Sequence, residues 1–125
     1  MDIKFYKCTV CGQVAAIVNE TGMPLTCCGK EMSLLVPNTV EAMEESHIPI
    51  YKQRGNVVVV TVGSQFHPMT SEHYIQWVAI QTKCGNQRKE LKPGQDPRVC
   101  FMLCEGDEVE AVYAYCNKHA LWKNN

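Results

Sequence analysis

Histidine is scarce in this chain, with four in 125 residues. Charge of one sign is scarce too. Twelve Lys and Arg stand against thirteen Asp and Glu, for a net charge of −1, and both signs are spread along the sequence. A nucleic-acid binder usually shows a basic stripe, and none is present. Long apolar runs are missing as well. Runs such as Val57 to Val60 fall far short of the roughly 20 apolar residues that span a bilayer. The first residues, Met1 to Lys7, contain no apolar stretch of signal-peptide type, so no leader is expected. There is no repeat and no low-complexity tract. The expectation is a protein with no nucleic-acid partner and no membrane partner. Its hydrophobic fraction of 46% and charged fraction of 20% are those of a soluble globular chain. The length allows one domain, or one ordinary domain with a small one beside it.

Cysteine, by contrast, is abundant, with eight residues. In a secreted chain that count suggests disulfides. Without a leader, reduced thiolates bound to metal fit better. Cys8 and Cys11 form a C-x-x-C pair, and fifteen residues later comes the adjacent pair Cys27-Cys28. Tyr6, Val10 and Val14 alternate with polar neighbours, which suggests a strand leading into a metal-binding turn. Gly12 lets the chain turn sharply behind Cys11. Asn19 to Gly22 reads as a hairpin turn. The segment closes near Val36-Pro37. A piece of about 36 residues cannot bury enough apolar surface to fold unaided and usually needs a metal or disulfides. Four thiolates suit zinc or iron about equally. A structural zinc ribbon is the plainer reading. Against it, neighbouring cysteines cannot form the same knuckle as a C-x-x-C pair.

Asn38 to Glu41 has the spacing of a capping box, which predicts a short helix through Val40, Ala42, Met43 and Glu44. Pro49 disfavours helical geometry at Ile48, so His47 is expected on a loop beyond the helix end. Asn56 to Val62 is a β-rich run. His67 and His73 bracket a loop stiffened by Pro68. Tyr74 to Thr82 continues as a strand with Ile75, Trp77 and Ala79 on one face. Gln87 to Leu91, Arg98 to Cys104 and Glu108 to Tyr115 are further strand candidates, the last with Val109, Ala111, Tyr113 and Tyr115 on one face. Short strands, turn signals and one short helix predict an antiparallel β-sandwich. Cys100 and Cys104 are expected to be packed in or beside a strand. Cys84 is expected on a hairpin turn.

Cys116 and His119 form a C-x-x-H pair near the C-terminus. Alone it is weak. With His47, His67 and His73 it would make a five-donor set of four imidazoles and one thiolate. Zinc prefers four ligands, whereas iron accepts a square pyramid with an open sixth position. The thiolate then lies opposite the vacancy and pushes electron density toward whatever binds there.

Over essentially its whole length the sequence resembles desulfoferrodoxin, the two-iron class of superoxide reductase. The resemblance is carried by Cys8, Cys11, Cys27 and Cys28. It is carried equally by Glu45-Ser46-His47-Ile48-Pro49, by His67-Pro68-Met69 through His73-Tyr74, and by Cys116-Asn117-Lys118-His119. It implies a mainly β protein of two domains. Residues 1–36 would be a small rubredoxin- or desulforedoxin-like domain holding iron on four cysteines. Residues 37–125 would be an immunoglobulin-like antiparallel β-sandwich holding the catalytic iron. It implies that His47, His67, His73 and His119 are equatorial ligands, that Cys116 is axial, and that Glu45 is a candidate sixth ligand of the ferric state. It further implies reduction of superoxide to hydrogen peroxide, a rubredoxin-like electron donor, a homodimer and a cytoplasmic location. Two departures stand out. The family usually has lysine where this chain has Ser46, which predicts weaker electrostatic capture of the anion. Ala120 replaces a common glycine, for which a small backbone adjustment is expected. The competing readings are a zinc-ribbon and β-sandwich binding module, and an electron carrier without reductase activity.

Overall fold

The computed structural model describes residues 2–125. The chain divides into two compact units, Met1–Val36 and Pro37–Asn125. In the first, strands β1 (Phe5–Lys7), β2 (Val14–Ala16) and β5 (Ser33–Leu34) form a three-stranded antiparallel sheet in the order β2-β1-β5. A two-residue hairpin pairs β3 (Thr26–Cys27) with β4 (Lys30–Glu31). Among the described residues of this unit only Phe5, Cys8 and Met32 are buried hydrophobics. A core that small leaves the fold dependent on its cysteine cluster.

The second unit is built from two antiparallel sheets. One has the order β10-β7-β6, from β6 (Pro49–Arg54), β7 (Val57–Val62) and β10 (Arg98–Met102). The other has the order β12-β11-β8-β9, from β8 (Ile75–Thr82), β9 (Gly85–Glu90), β11 (Val109–Cys116) and β12 (Ala120–Asn124). Alternate residues of both sheets meet in one core. Val58, Val60 and Val62 of β7 and Phe101 of β10 come from the first, and Val78, Ile80, Val112 and Ala114 from the second. All eight are fully buried, each contributing about 1.5–3 kcal/mol for the larger side chains. Two antiparallel sheets face to face over a shared apolar layer make the expected β-sandwich.

Several local expectations change. The only helix among the described residues is one turn, α1 (Glu44–His47), capped by Met43 without a side-chain hydrogen bond. Asn38 is not its cap. It adopts φ +62°, and its side chain pairs with the Lys123 backbone, Nδ2 donating to the carbonyl at 3.0 Å and Oδ1 accepting from the N–H at 2.8 Å. Its hydrogen bonds go to β12, so none remains for helix amides. His47 lies within α1 rather than beyond it, and it is buried.

On β8, a register shift between Tyr115 and Cys116 of β11 turns Ile75 into the core with Val78 and Ile80. Trp77, which was expected to share a face with Ile75, instead stacks on Tyr115 at 5.3 Å. A second shift after Val109 separates that residue from Ala111, Tyr113 and Tyr115 and packs it against the core. Cys100 and Cys104 are exposed, not packed. In β10 the odd positions Val99 and Phe101 face inward, so Cys100 faces out. Cys104 lies past the end of the strand. Strand β12 had no counterpart in the sequence reading.

Candidate metal centres

The first cluster is the four thiols of the small unit. Cys8, Cys11, Cys27 and Cys28 place their sulfurs within 4.8 Å of one another. The Cys11 and Cys27 sulfurs are 3.6 Å apart and those of Cys27 and Cys28 are 3.9 Å apart, far outside the roughly 2.05 Å of a disulfide. The Cys11 N–H donates to the Cys8 sulfur at 3.4 Å. Backbone N–H groups of Cys11 and Val10 pull the Cys8 thiol down to about 6. The neighbouring sulfur of Cys11, then that of Cys8, push Cys27 up to about 12. The Cys8 thiol is thus prepared to ionise while those of Cys27 and Cys28 resist. Four thiolates cannot crowd together until a cation neutralises them, which is the chemistry of a tetrahedral sulfur site. The adjacent pair reaches its place because Cys28 turns into the left-handed region, with φ +52°.

The second cluster lies at one end of the sandwich. The rings of His47, His67, His73 and His119 form the corners of a square. Its sides are 4.5 Å (47–67), 4.7 Å (67–73), 5.0 Å (73–119) and 4.9 Å (119–47). Neighbouring rings are nearly perpendicular, at 76° to 85°, and the diagonal from His47 to His73 is 6.2 Å. The ligand atoms of His47, His67, His73 and Cys116 lie within 4.8 Å of one another. His119 Nδ1 joins them at 3.0 Å from His47 Nε2 and 3.9 Å from Cys116 Sγ.

The hydrogen bonds fix which nitrogens carry protons. His47 Nδ1 donates to the Met43 carbonyl at 2.7 Å, and His67 Nδ1 donates to the Pro68 carbonyl at 2.6 Å. A carbonyl only accepts, so in each neutral ring Nε2 presents a bare lone pair. Those two Nε2 atoms nevertheless face each other at 3.1 Å, and neither can donate. His73 Nε2 is also buried and has no hydrogen-bond partner. A buried polar atom left unpaired costs about 1–3 kcal/mol. A cation at the centre of the square would satisfy all of them at once, and outer hydrogen bonds to carbonyls are how metal-binding histidines are oriented.

Burial holds His67 down to about 4 and lowers His47 and His73 as well. These rings therefore stay neutral, the form that binds metal. Burial raises the Cys116 thiol, opposed by the backbone N–H groups of Lys118 and His119. Four imidazole nitrogens and one thiol fit iron better than zinc, for which a fifth protein donor is superfluous.

The supporting structure is specific. Gly63, at φ +85°, packs so tightly that an added Cβ would press on the Gln65 carbonyl and come within 2.7 Å of the Glu45 carbonyl and Ser46 Cα. Only glycine permits that approach. It lets the Glu45 carbonyl accept from Gln65 N–H and Ser64 hydroxyl, at 3.0 and 3.2 Å, so the α1 turn and the loop before His67 are fastened together. The Glu45 side chain is exposed. Ser46 Oγ lies 3.1 Å from His47 Nδ1. Two residues escaped the sequence reading. Asn117 clamps the C-x-x-H loop to the segment after His73, accepting from Tyr74 N–H and donating to the Glu72 carbonyl, both at 2.9 Å. Trp122 lies 4.8 Å from the His47 ring, and its indole N–H donates to the His119 carbonyl at 2.9 Å. Asn117 had a signal in its place between Cys116 and His119, whereas Trp122 had none.

Comparison with known proteins agrees with this arrangement. The family model described as desulfoferrodoxin matches residues 39–125, and that of the desulfoferrodoxin N-terminal domain matches residues 2–35. A desulfoferrodoxin of Syntrophotalea carbinolica is 38% identical over 98% of this chain and 95% of its own. A desulfoferrodoxin homolog of Archaeoglobus fulgidus is 40% identical over 98% of this chain and 96% of its own. Among solved structures, the superoxide reductase of Treponema pallidum superposes with a TM-score of 0.84 at 34% identity, with each chain fully covered.

Proposed function

The chain belongs to the desulfoferrodoxin family, and from that premise we propose that it is a superoxide reductase, with residues 1–36 as the electron-transfer domain and residues 37–125 as the catalytic one. The observation that carries the reading is the square of four imidazoles, in which the facing Nε2 atoms of His47 and His67 have no proton to share and His73 Nε2 is buried without a partner. The cofactor is iron at two places, the four-thiol cluster and the histidine–cysteine cluster.

Held by His47, His67, His73, His119 and Cys116, iron would supply the one electron that, with two protons, turns superoxide into hydrogen peroxide without release of dioxygen. The protein's own part begins with geometry. His47, His67, His73 and His119 would hold the iron through their ring nitrogens, and the carbonyls of Met43 and Pro68 fix two of the tautomers. Cys116 would hold the same iron through its sulfur. It is fully buried, so its charge is felt undiluted by solvent. Glu45, whose side chain is exposed on the α1 turn, would be the carboxylate ligand of the oxidised iron that the family resemblance implies. A four-sulfur cluster has no open position and suits electron transfer. A rubredoxin-like donor, a homodimer and a cytoplasmic location complete the proposal, on the strength of the family resemblance.

The test is direct. Purified oxidised protein should contain about two irons per chain and show charge-transfer bands of both ferric centres. Given superoxide and a reductant, it should form one peroxide per superoxide consumed and no oxygen. A colourless, zinc-only protein would refute the proposal in favour of a zinc-ribbon module. A spectrum with tetrathiolate bands alone would instead leave an electron carrier.

A further inference from the structure

Three cysteines belong to neither donor group, and Cys84, Cys100 and Cys104 are all exposed. Two of them lie in turns that are joined at one end of the sandwich. Cys84 sits in the turn of the β8–β9 hairpin, and Cys104 begins the turn from β10 to β11. Asp107 ties them together. Its Oδ1 accepts from the Cys84 N–H at 3.1 Å and from the Glu108 N–H at 2.9 Å, and its Oδ2 accepts from the Thr82 hydroxyl at 2.7 Å. Its own N–H donates to the Cys104 carbonyl at 3.1 Å. The turns are fastened again where Lys83 N–H donates to the Glu108 carbonyl at 3.0 Å and Lys83 Nζ pairs with the Glu108 carboxylate at 2.9 Å. Cys100, within β10 opposite Val59, has no such partner loop.

We propose that Cys84 and Cys104 are an oxidisable thiol pair that closes to an intrachain disulfide, with hydrogen peroxide as the oxidant. The cellular source of that peroxide rests on the superoxide reductase reading, but the chemistry of the pair does not. Disulfide closure needs Cα atoms about 4.4–6.8 Å apart. Both residues lie in surface turns, where small backbone adjustments are easiest and peroxide has access.

The surroundings assign an order. The Asp107 carboxylate, held low chiefly by the Thr82 hydroxyl, takes a hydrogen bond from the Cys84 thiol and raises its pKa. Cys84 is therefore kept as the protonated thiol, the poorer first nucleophile. The first attack is assigned to Cys104. Its sulfur bonds to one peroxide oxygen, the O–O bond breaks, and the departing hydroxide takes a proton to become water. Cys104 is now a sulfenic acid. The Cys84 sulfur then bonds to it, the S–O bond breaks, and the leaving hydroxide with the Cys84 proton makes a second water. Two thiols lose two electrons and two protons, and one peroxide becomes two waters.

The experiment uses the full-length, iron-loaded protein treated with stoichiometric hydrogen peroxide, then thiol blocking, digestion without reductant and mass spectrometry. A peptide linking Cys84 to Cys104 is expected in the wild type and in Cys100→Ser, and it should vanish on treatment with dithiothreitol. It should be absent from Cys84→Ser and Cys104→Ser. In Cys84→Ser a sulfenic-acid trap should label Cys104. The proposal is overturned if no linked peptide forms, if the link runs between chains, or if Cys100 substitutes equally for either partner. Added peroxide separates the two readings. Failure to close alongside normal superoxide consumption defeats the thiol pair alone, whereas closure in a protein inert toward superoxide defeats only the functional assignment.

Discussion

The side chain of Asn117 accepts a hydrogen bond from the Tyr74 backbone N–H at 2.9 Å, while the Asn117 N–H donates to the Tyr74 carbonyl at 3.2 Å. Asn117 follows Cys116, and Tyr74 follows His73, so this reciprocal pair sets the distance between two proposed ligands, one at the end of β11 and one in the loop before β8. Asn117→Ala removes the side-chain bond and leaves the Tyr74 N–H and Glu72 carbonyl unpaired. A loss of about 1–3 kcal/mol is expected in denaturant unfolding. Iron should be lost preferentially from the histidine–cysteine centre, with the tetrathiolate absorption retained.

The metal-free protein should weaken in mild acid. Folded His67 titrates near 4, because burial disfavours its charged form, whereas the unfolded residue titrates at about 6.5. Between those values the unfolded chain binds a proton that the folded chain refuses. Stability therefore rises with pH across this window and is lost as pH falls from about 6.5 to about 4. His67 alone contributes about 3 kcal/mol to that loss, and His47 and His73 act in the same direction. Urea unfolding of metal-free protein at pH 7 and pH 4.5 measures it. Equal stabilities would show that the square opens to water without its metal.

Ser46→Lys restores a cation beside the α1 turn. Superoxide is an anion, and a positive charge near the site raises its encounter rate. The second-order rate with superoxide should rise several-fold at low salt, and the gain should shrink as ionic strength approaches 1 M. Pulse radiolysis across a salt series gives the answer. An unchanged rate and slope would remove steering from the account of this position.

Ala120 has φ +62°, a conformation that costs a side-chain-bearing residue roughly 1–2 kcal/mol. Ala120→Gly should stabilise the protein by up to about 1 kcal/mol, less than the full strain because glycine loses more entropy on folding. The ferric charge-transfer bands should not move, since His119 already reaches the cluster with alanine in place.

Metal removal should affect the two units unequally. The first has three buried apolar residues among those described, so chelation should melt it. The second keeps the valine-rich core shared by its sheets and should stay folded. Proton NMR before and after chelation distinguishes them, and a first unit that stayed dispersed without metal would overturn the prediction.

The residues that meet at the metal centres were legible in the sequence because spacing and scarcity expose them. Cys8 and Cys11, Cys27 and Cys28, and Cys116 and His119 stand at short fixed intervals, and the other three histidines fall within 27 residues. Several sheet strands were legible because a β-branched run such as Val57–Val62 is a local signal, whereas β6 and β12 carry no such run. What failed depends on partners far along the chain. Asn38 has the local signature of a helix cap, yet its hydrogen bonds go to Lys123, 85 residues away. The face of Ile75 is decided by a register shift on a neighbouring strand. Cys100 and Cys104 look like core residues by type, but the phase of β10 turns Cys100 outward, and Cys104 lies beyond its end.

The buried indole of Trp122, 4.8 Å from the His47 ring, gives the protein an intrinsic optical gauge. Emission from an indole this close to a coloured, paramagnetic ion is quenched, whereas Trp77, stacked on Tyr115, supplies a second signal from elsewhere in the sheet. In Trp77→Phe protein the remaining fluorescence would report the filling of the histidine–cysteine site, so its loading could be followed in real time without perturbing any donor.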